Sequence, residues 1–227
     1  MTTRWRWAAG QAAEAARRWG RQVGLLPYRP EHRTAAEWTA AYEAGSLAYY
    51  GDVPELGRYG AILGYLAWFS ASRPGGPVSI LDGGCGTGLL RRRLEGWSLS
   101  RYVGIDVSEP AVATATAAGH ARSQFLVAEL GDVAALGLGR FDVVVLNEVL
   151  YYLADPVPVL AGLGAVVEPD GLVVVSMWRH PGDRALWRTV DRALRLVDRV
   201  EVRNRANPVN RRGWMVAAYR VPVTPAP

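Results

Sequence analysis

A chain of 227 residues, half of them apolar, is long enough to bury the core of one α/β domain and too short for two. It has no run of about 18 apolar residues, so no membrane-spanning helix is expected, and a single cysteine, Cys85, leaves no disulfide framework and points to a reducing, cytoplasmic setting. The net charge is +5, but all 26 basic residues are arginines scattered along the chain, a pattern that reads as solvated surface and not as a nucleic-acid footprint.

In chain order, residues 4–22 have helical composition, with Trp5, Ala8, Ala12, Ala16, Trp19 and Val23 near one face. Arg4, Arg6, Arg17 and Arg18 interrupt any signal-peptide core there. Pro27 and Pro30 mark a linker. A second helix is expected over 34–49, with Thr34 as N-cap and Glu37 at the capping-box position. A third starts at Pro54 and carries an apolar stripe of Leu56, Tyr59, Ile62, Leu63, Leu66 and Phe69. Breakers from Arg73 to Pro77 then close an N-terminal helical extension or lid over 1–76. The remaining chain alternates strand and helix. Strands are expected at 78–82, 101–106, 124–128, 141–147 and 171–178, with helices at 87–95, 109–118 and 156–167. This is the pattern of a doubly wound, mostly parallel sheet. A helix over 182–197 and two strands, 199–205 and 212–221, split by Asn207-Pro208-Val209-Asn210, complete the core over 77–221. The tail, 222–227, is expected to fray.

The feature around which the chain is organised is Asp82-Gly83-Gly84-Cys85-Gly86-Thr87-Gly88. Alternate glycines let the backbone turn sharply and bring a ligand close to the main chain at the carboxyl end of a strand. A carboxylate at that strand end repels phosphates. The dinucleotide fingerprint also fails, because Leu89 stands where its third glycine belongs. Asp106 ends the second strand 24 positions after Asp82, close to the spacing at which a carboxylate takes both hydroxyls of a ribose. The competing reading is a turn aspartate beside a helix capped by Ser108, and Ser108 serves the capping role better.

With this loop followed by Gly104-Ile105-Asp106-Val107-Ser108, the chain resembles the class I S-adenosylmethionine-dependent methyltransferases, over about residues 78–177. The resemblance implies a Rossmann-like seven-stranded sheet with an antiparallel last strand, S-adenosylmethionine as cofactor and S-adenosylhomocysteine as product. It places adenine recognition at Glu129 and Leu130, with Asp132 a competing position. Asn147 and Glu148 emerge at the end of the fourth strand, where either holds the aminoacyl end of the cofactor or faces the acceptor. Tyr49, Tyr50, Tyr151, Tyr152 and Trp178 offer aromatic faces to a sulfonium. The cofactor-binding set is thus Asp82, Gly84, Cys85, Gly86, Gly88, Asp106, Val107, Glu129, Leu130, Asn147, Glu148 and Tyr50. Cys85 itself reads as a small residue packed in a turn, not as a nucleophile.

The candidate catalytic residues are His180, as base beyond the fifth strand, and Tyr152. His32 and His120 are the other histidines. No metal is called for. No Asn-Pro-Pro-Tyr box follows the fourth strand and no second cysteine exists, so a flipped-base substrate is not expected. The expected acceptor is a small molecule, such as a secondary metabolite or sugar, methylated at a hydroxyl or, as second choice, an amine. The rival reading is a cyclase or rearrangement catalyst that keeps the cofactor unreacted. A monomer or homodimer is expected.

Overall fold

A computed structural model describes residues 33–73, 75–179, 183–204 and 213–222. The helix expected over 4–22, His32, His180, the break at Asn207–Asn210 and most of the tail lie outside the described residues. Helix α1 (Ala35–Glu43) starts at the expected capping box. The Thr34 hydroxyl accepts from the Glu37 amide at 3.3 Å, and the Glu37 carboxylate accepts from the Thr34 amide at 2.8 Å. It ends sooner than the 34–49 reading, because Gly45 adopts φ +64° just past it, a left-handed stop that needs no Cβ. Short 3-10 turns at Ala48–Gly51 and Val53–Glu55 lead into α2 (Leu56–Ala71). Pro54 sits in the second of these turns and not at the start of the helix.

The seven strands are β1 (Val78–Gly83), β2 (Leu99–Asp106), β3 (Ser123–Val127), β4 (Phe141–Asn147), β5 (Val167–Trp178), β6 (Arg195–Arg203) and β7 (Gly213–Arg220). They form one sheet in the order β3-β2-β1-β4-β5-β7-β6. β1 to β5 are parallel, and β7 inserts antiparallel between β5 and β6, as expected for the Rossmann-like methyltransferase sheet. The crossover helices are α3 (Leu89–Arg93), α4 (Glu109–Ala117), α5 (Val157–Val166) and α6 (Arg184–Ala193).

Two boundaries differ from the pattern reading for physical reasons. The helix expected to reach 197 ends at Ala193, and Arg195 already belongs to β6. Leu194, Leu196 and Val197 fit a helical period, but the ladder with β7, from Arg195 opposite Arg220 to Arg203 opposite Gly213, prevails. β5 begins at Val167, ahead of the expected residue 171, across an irregularity in its pairing with β4. Gly171 allows that bend, since a Cβ there would stand 2.8 Å from the Glu168 carbonyl oxygen and 2.6 Å from a Val167 methyl.

The central strands alternate between two cores, and β1, β4 and β5 are buried on both faces, which explains their apolar runs. Leu81, Val144, Leu146, Val173 and Val175 pack with Leu160 and Leu163 of α5 and Val190 of α6. On the opposite face Ile80, Val143, Val145 and Val174 pack with Ile62, Leu66 and Phe69 of α2. The chain runs from β1 outward to β2 and β3, then returns to place β4 on the other side of β1. That reversal opens a crevice at the carboxyl ends of β1, β2 and β4. Among the described residues no helix is long and apolar enough to cross a membrane.

Candidate active site

A cavity of about 830 Å³ occupies this crevice, within the range of small-molecule sites, and α1 lies across it. Its floor is the glycine loop. The amides of Gly84 and Cys85 both donate to the Ile105 carbonyl, at 2.8 and 2.9 Å, which ties the loop to β2. A Cβ on Gly84 (φ +75°) would meet Val149 at 2.8 Å, and one on Gly86 (φ +52°) would collide with the Tyr42 hydroxyl. The bare backbone is therefore a steric requirement of the site. Gly88 stands apart from this lining. It does not line the cavity, and its left-handed turn faces Ala115 and Phe125, so its role is to let α3 and α4 pack. Cys85 is buried in the loop, and burial pushes its thiol pKa well up, as befits a packing residue.

Asp82 is almost fully buried at the end of β1 and accepts from the Tyr102 hydroxyl at 2.5 Å. Burial raises its carboxyl to about 7, with Tyr102 pulling down and Asp106 pushing up. For the ligand-free protein the sign follows directly. The raised pKa gives a stabilising contribution that is full below about 3.8 and lost as pH rises through about 7. The melting temperature of the ligand-free protein is expected to fall between pH 5 and 8, and Asp82→Asn to flatten that fall; an unchanged slope in the variant would assign the effect to other groups.

Asp106 links the strand end to both neighbouring turns. One carboxylate oxygen accepts from the Gly86 amide at 2.8 Å and the other from the Ser108 amide at 3.0 Å. Burial raises its pKa, and these backbone bonds oppose the rise. Ser108 occupies the N-cap position of α4, but its buried hydroxyl makes no capping bond. Asp106 lines the cavity together with Val107, Glu129 and Leu130. Asp132, the competitor of Glu129, is exposed and does not line it.

At the far end stand Asn147 and Glu148. The Asn147 side-chain oxygen accepts from Arg58 at 2.5 Å. Glu148 is buried, with one oxygen accepting from the Ser176 hydroxyl at 2.9 Å and the other from the Tyr151 hydroxyl at 2.6 Å and the Trp178 amide at 3.1 Å. Burial raises its pKa, while the Arg58 charge and the hydroxyl donors lower it. Arg58 is 1% exposed and donates twice to Glu55, at 3.2 and 3.0 Å. Burial opposes its charge, but Glu148, Tyr59 and Glu55 outweigh it and hold the guanidinium above its usual pKa.

The aromatic prediction divides. Tyr50 and Tyr152 line the cavity, whereas Tyr49, Tyr151 and Trp178 do not. Trp38 of α1 meets Tyr152 edge to face, ring centroids 4.7 Å apart, and together with Leu153 they wall the part of the cavity beyond Asn147. His120 lies away from the cavity, and His180 is outside the described residues. Sequence reasoning missed Arg58, Trp38 and Tyr42, all of which line the site. Arg58 had a signal: it stands four residues before Ile62 and eight before Leu66, a cation in register with a buried stripe.

Residues 81–175 match the model of a family described as "Methyltransferase domain". A ubiquinone biosynthesis O-methyltransferase of Thiobacillus denitrificans is 34% identical over 114 residues, which is 49% of this chain and 49% of that protein. The chain thus spans about half the length of this relative. Among solved structures, 1,6-didemethyltoxoflavin-N1-methyltransferase of Burkholderia thailandensis, with 1,6-didemethyltoxoflavin and S-adenosylhomocysteine bound, superposes with a TM-score of 0.64 at 18% identity, over 82% of this chain and 86% of its own. The [4+2]-cyclase SpnF superposes with a TM-score of 0.60 at 16% identity, over 87% and 100%. Both likenesses concern the fold.

Proposed function

The chain belongs to the class I S-adenosylmethionine-dependent methyltransferases, with S-adenosylmethionine as cofactor, and we propose that it transfers the methyl group to a hydroxyl of a small molecule. The observation that carries this reading is that one continuous cavity joins the cofactor-type residues to an aromatic wall of Trp38, Tyr50 and Tyr152. The O-methyltransferase named among its relatives supports the choice of a hydroxyl.

The residues fit the cofactor chemically. Asp82 and Glu148 are carboxylates whose pKa burial has raised, so a cationic guest relieves their desolvation. Asp106, already anchored by two backbone amides, retains lone pairs for both ribose hydroxyls. Glu129 and the Leu130 amide take the adenine edge. Asp82 takes the ammonium, and the two terminal nitrogens of the Arg58 guanidinium, bonded to Glu55 and Asn147, each keep a second N–H for the carboxylate. The cofactor supplies a methyl group already activated on a sulfonium. The chain's task is then alignment and exclusion of water. Trp38 and Tyr152 hold a flat acceptor edge-on between α1 and the β4 end, the Tyr152 hydroxyl hydrogen-bonds the acceptor oxygen, and His180 is the base that receives the hydroxyl proton as the new C–O bond forms.

The test has two stages. S-adenosylhomocysteine is expected to raise the melting temperature, as a ligand selective for the folded state must. Methyl-labelled cofactor with a panel of phenols, aliphatic alcohols and amines is then expected to label hydroxyl carriers. Label confined to amines overturns the hydroxyl reading, and product formed without label overturns methyl transfer.

A further inference from the structure

The charges along the cavity wall differ in how fully the fold has answered them. Asp82 is bonded to Tyr102, and Asp106 to the Gly86 and Ser108 amides. Arg58 answers Glu55 and Glu148, and the Glu148 carboxylate is taken by Ser176, Tyr151 and the Trp178 amide. Asp155 turns back to accept from the Val157 amide at 2.9 Å, at the start of α5. Arg33 is different. It lines the cavity, is exposed, and enters none of the ion pairs formed among the described residues. What holds it is Trp38, since its guanidinium carbon lies over the indole, 4.9 Å from the ring centre, in a cation–π contact.

We propose that Arg33 reads a carboxylate on the methyl acceptor, so that the substrate class is a planar hydroxy acid, an aromatic ring bearing both the hydroxyl to be methylated and a carboxylate. The inference rests on the reading of the chain as a methyl-transfer enzyme and names the acceptor class of that same site. Contact with an aromatic face leaves the guanidinium N–H groups unspent, and their planar fork matches a carboxylate through two parallel bonds. The same contact holds a long side chain at the wall before the ligand arrives, which lessens the ordering cost of binding. A phosphate brings a second negative charge that one exposed guanidinium does not answer, so a carboxylate is the better match.

Position supports the assignment. Trp38 touches Arg33 at 4.9 Å and Tyr152 at 4.7 Å from its ring centre. Both partners therefore lie close to one indole, a span that a single substituted benzene ring bridges, with its hydroxyl toward Tyr152 and its carboxylate toward Arg33. The carboxylate nearest in sequence on the same helix face is Glu37, four residues on, where it would ordinarily neutralise the arginine. Its Oε2 is instead committed to the capping box, accepting from the Thr34 amide at 2.8 Å and the Thr34 hydroxyl at 3.0 Å. Arg92 is the other exposed cation of the wall, but it belongs to α3, which leaves the glycine loop on the side given to the cofactor. A neutral amide or ester of the same shape fills the space beside Trp38 without answering the charge, and that difference is what the site uses to choose.

The experiment is calorimetric titration of the protein saturated with S-adenosylhomocysteine. The probes are 4-hydroxybenzoate, 3,4-dihydroxybenzoate and 4-hydroxycinnamate, each set against its own primary amide. The wild-type protein is expected to bind at least one acid about tenfold or more tightly than its amide, with the preference shrinking as salt is raised, as an exposed ion pair must. Arg33→Gln is expected to bring that ratio close to one while the amide changes by less than about twofold, and Arg33→Lys, which keeps the charge but not the fork, to fall between. Arg33 is exposed and outside every ion pair of the described residues, so Arg33→Gln is expected to melt where the wild type does. Arg92→Gln is expected to keep the wild-type ratio. Absence of any preference for an acid in the wild type, a preference that survives Arg33→Gln, or one that Arg92→Gln abolishes as fully, overturns the proposal. Methyl label passing equally to acids and amides overturns it too, while leaving the methyl-transfer reading in place. Failure of S-adenosylhomocysteine itself to bind would instead sink the cofactor assignment on which the inference stands.

Discussion

Arg58→Met is expected to lower the free energy of unfolding by about 3–5 kcal/mol, the usual cost of removing one partner from a buried ionic set. The midpoint of urea unfolding reports it. The size follows from the partners left behind. Glu55 and Glu148 are both buried, Glu55 loses two donors, and the Asn147 oxygen loses its short bond. Methionine fills the volume without answering any of them. Arg58→Lys keeps the charge but not the planar fork that reaches Glu55 and Asn147 together, so it is expected to recover only part of the loss. A cost below about 1 kcal/mol for Arg58→Met, typical of exposed pairs, would show that water reaches these carboxylates and that the charge balance drawn for the cavity is wrong.

The second large effect concerns binding. Asp106→Ala is expected to weaken S-adenosylhomocysteine by about a hundredfold or more and to remove the rise in melting temperature at concentrations that saturate the wild-type protein. Two hydrogen bonds to a charged acceptor are worth about 1.5–3 kcal/mol each. The substitution also releases the Gly86 amide from its anchor, so the floor of the site loosens as the ribose contacts vanish. Asp106→Asn separates the two contributions. It keeps one acceptor oxygen for either Gly86 or Ser108 and turns a donor toward the other, so its affinity should fall between those of wild type and Asp106→Ala. Full affinity in Asp106→Ala would remove this residue from the nucleoside site.

How much of this was legible depends on whether local or distant neighbours decide a residue's place. β4 was readable to the residue, because a strand buried on both faces writes itself as an apolar run, Val143 to Leu146, behind Phe141 and ended by Asn147. The Thr34–Glu37 box was readable because its whole mechanism lies within four residues. β6 was not: its apolar and charged residues alternate on an edge, and only β7 settles that Arg195 and Leu196 are extended. The site shows the same division. Asp82 and Asp106 announce themselves through the glycine loop and the spacing between strand ends. Arg58 belongs to the site because α2 packs on β4 and brings it within reach of Asn147, 89 positions later. Tyr42 and Trp38 belong because α1 crosses the cavity mouth. Gly88 shares the spacing of the loop glycines, but only the structure shows that its turn faces Ala115 and Phe125.

The insertion of β7 between β5 and β6 also governs the order in which the chain can be made safe. During synthesis β1 to β5 emerge first, and until Gly213–Arg220 follows, the outer edge of β5 from Val173 to Trp178 has no partner. That edge is long, apolar and uncharged at Val173, Val174, Val175 and Met177, the description of a strand that recruits other chains. β6 in its final place carries Arg195, Asp198, Arg199, Glu201 and Arg203 along the exposed border, so the finished sheet presents a charged rim where the nascent one presents a sticky one. A chain cut short before residue 213 is therefore expected to aggregate with its cofactor loop intact. The last two strands thus replace the apolar edge of β5 with a charged rim.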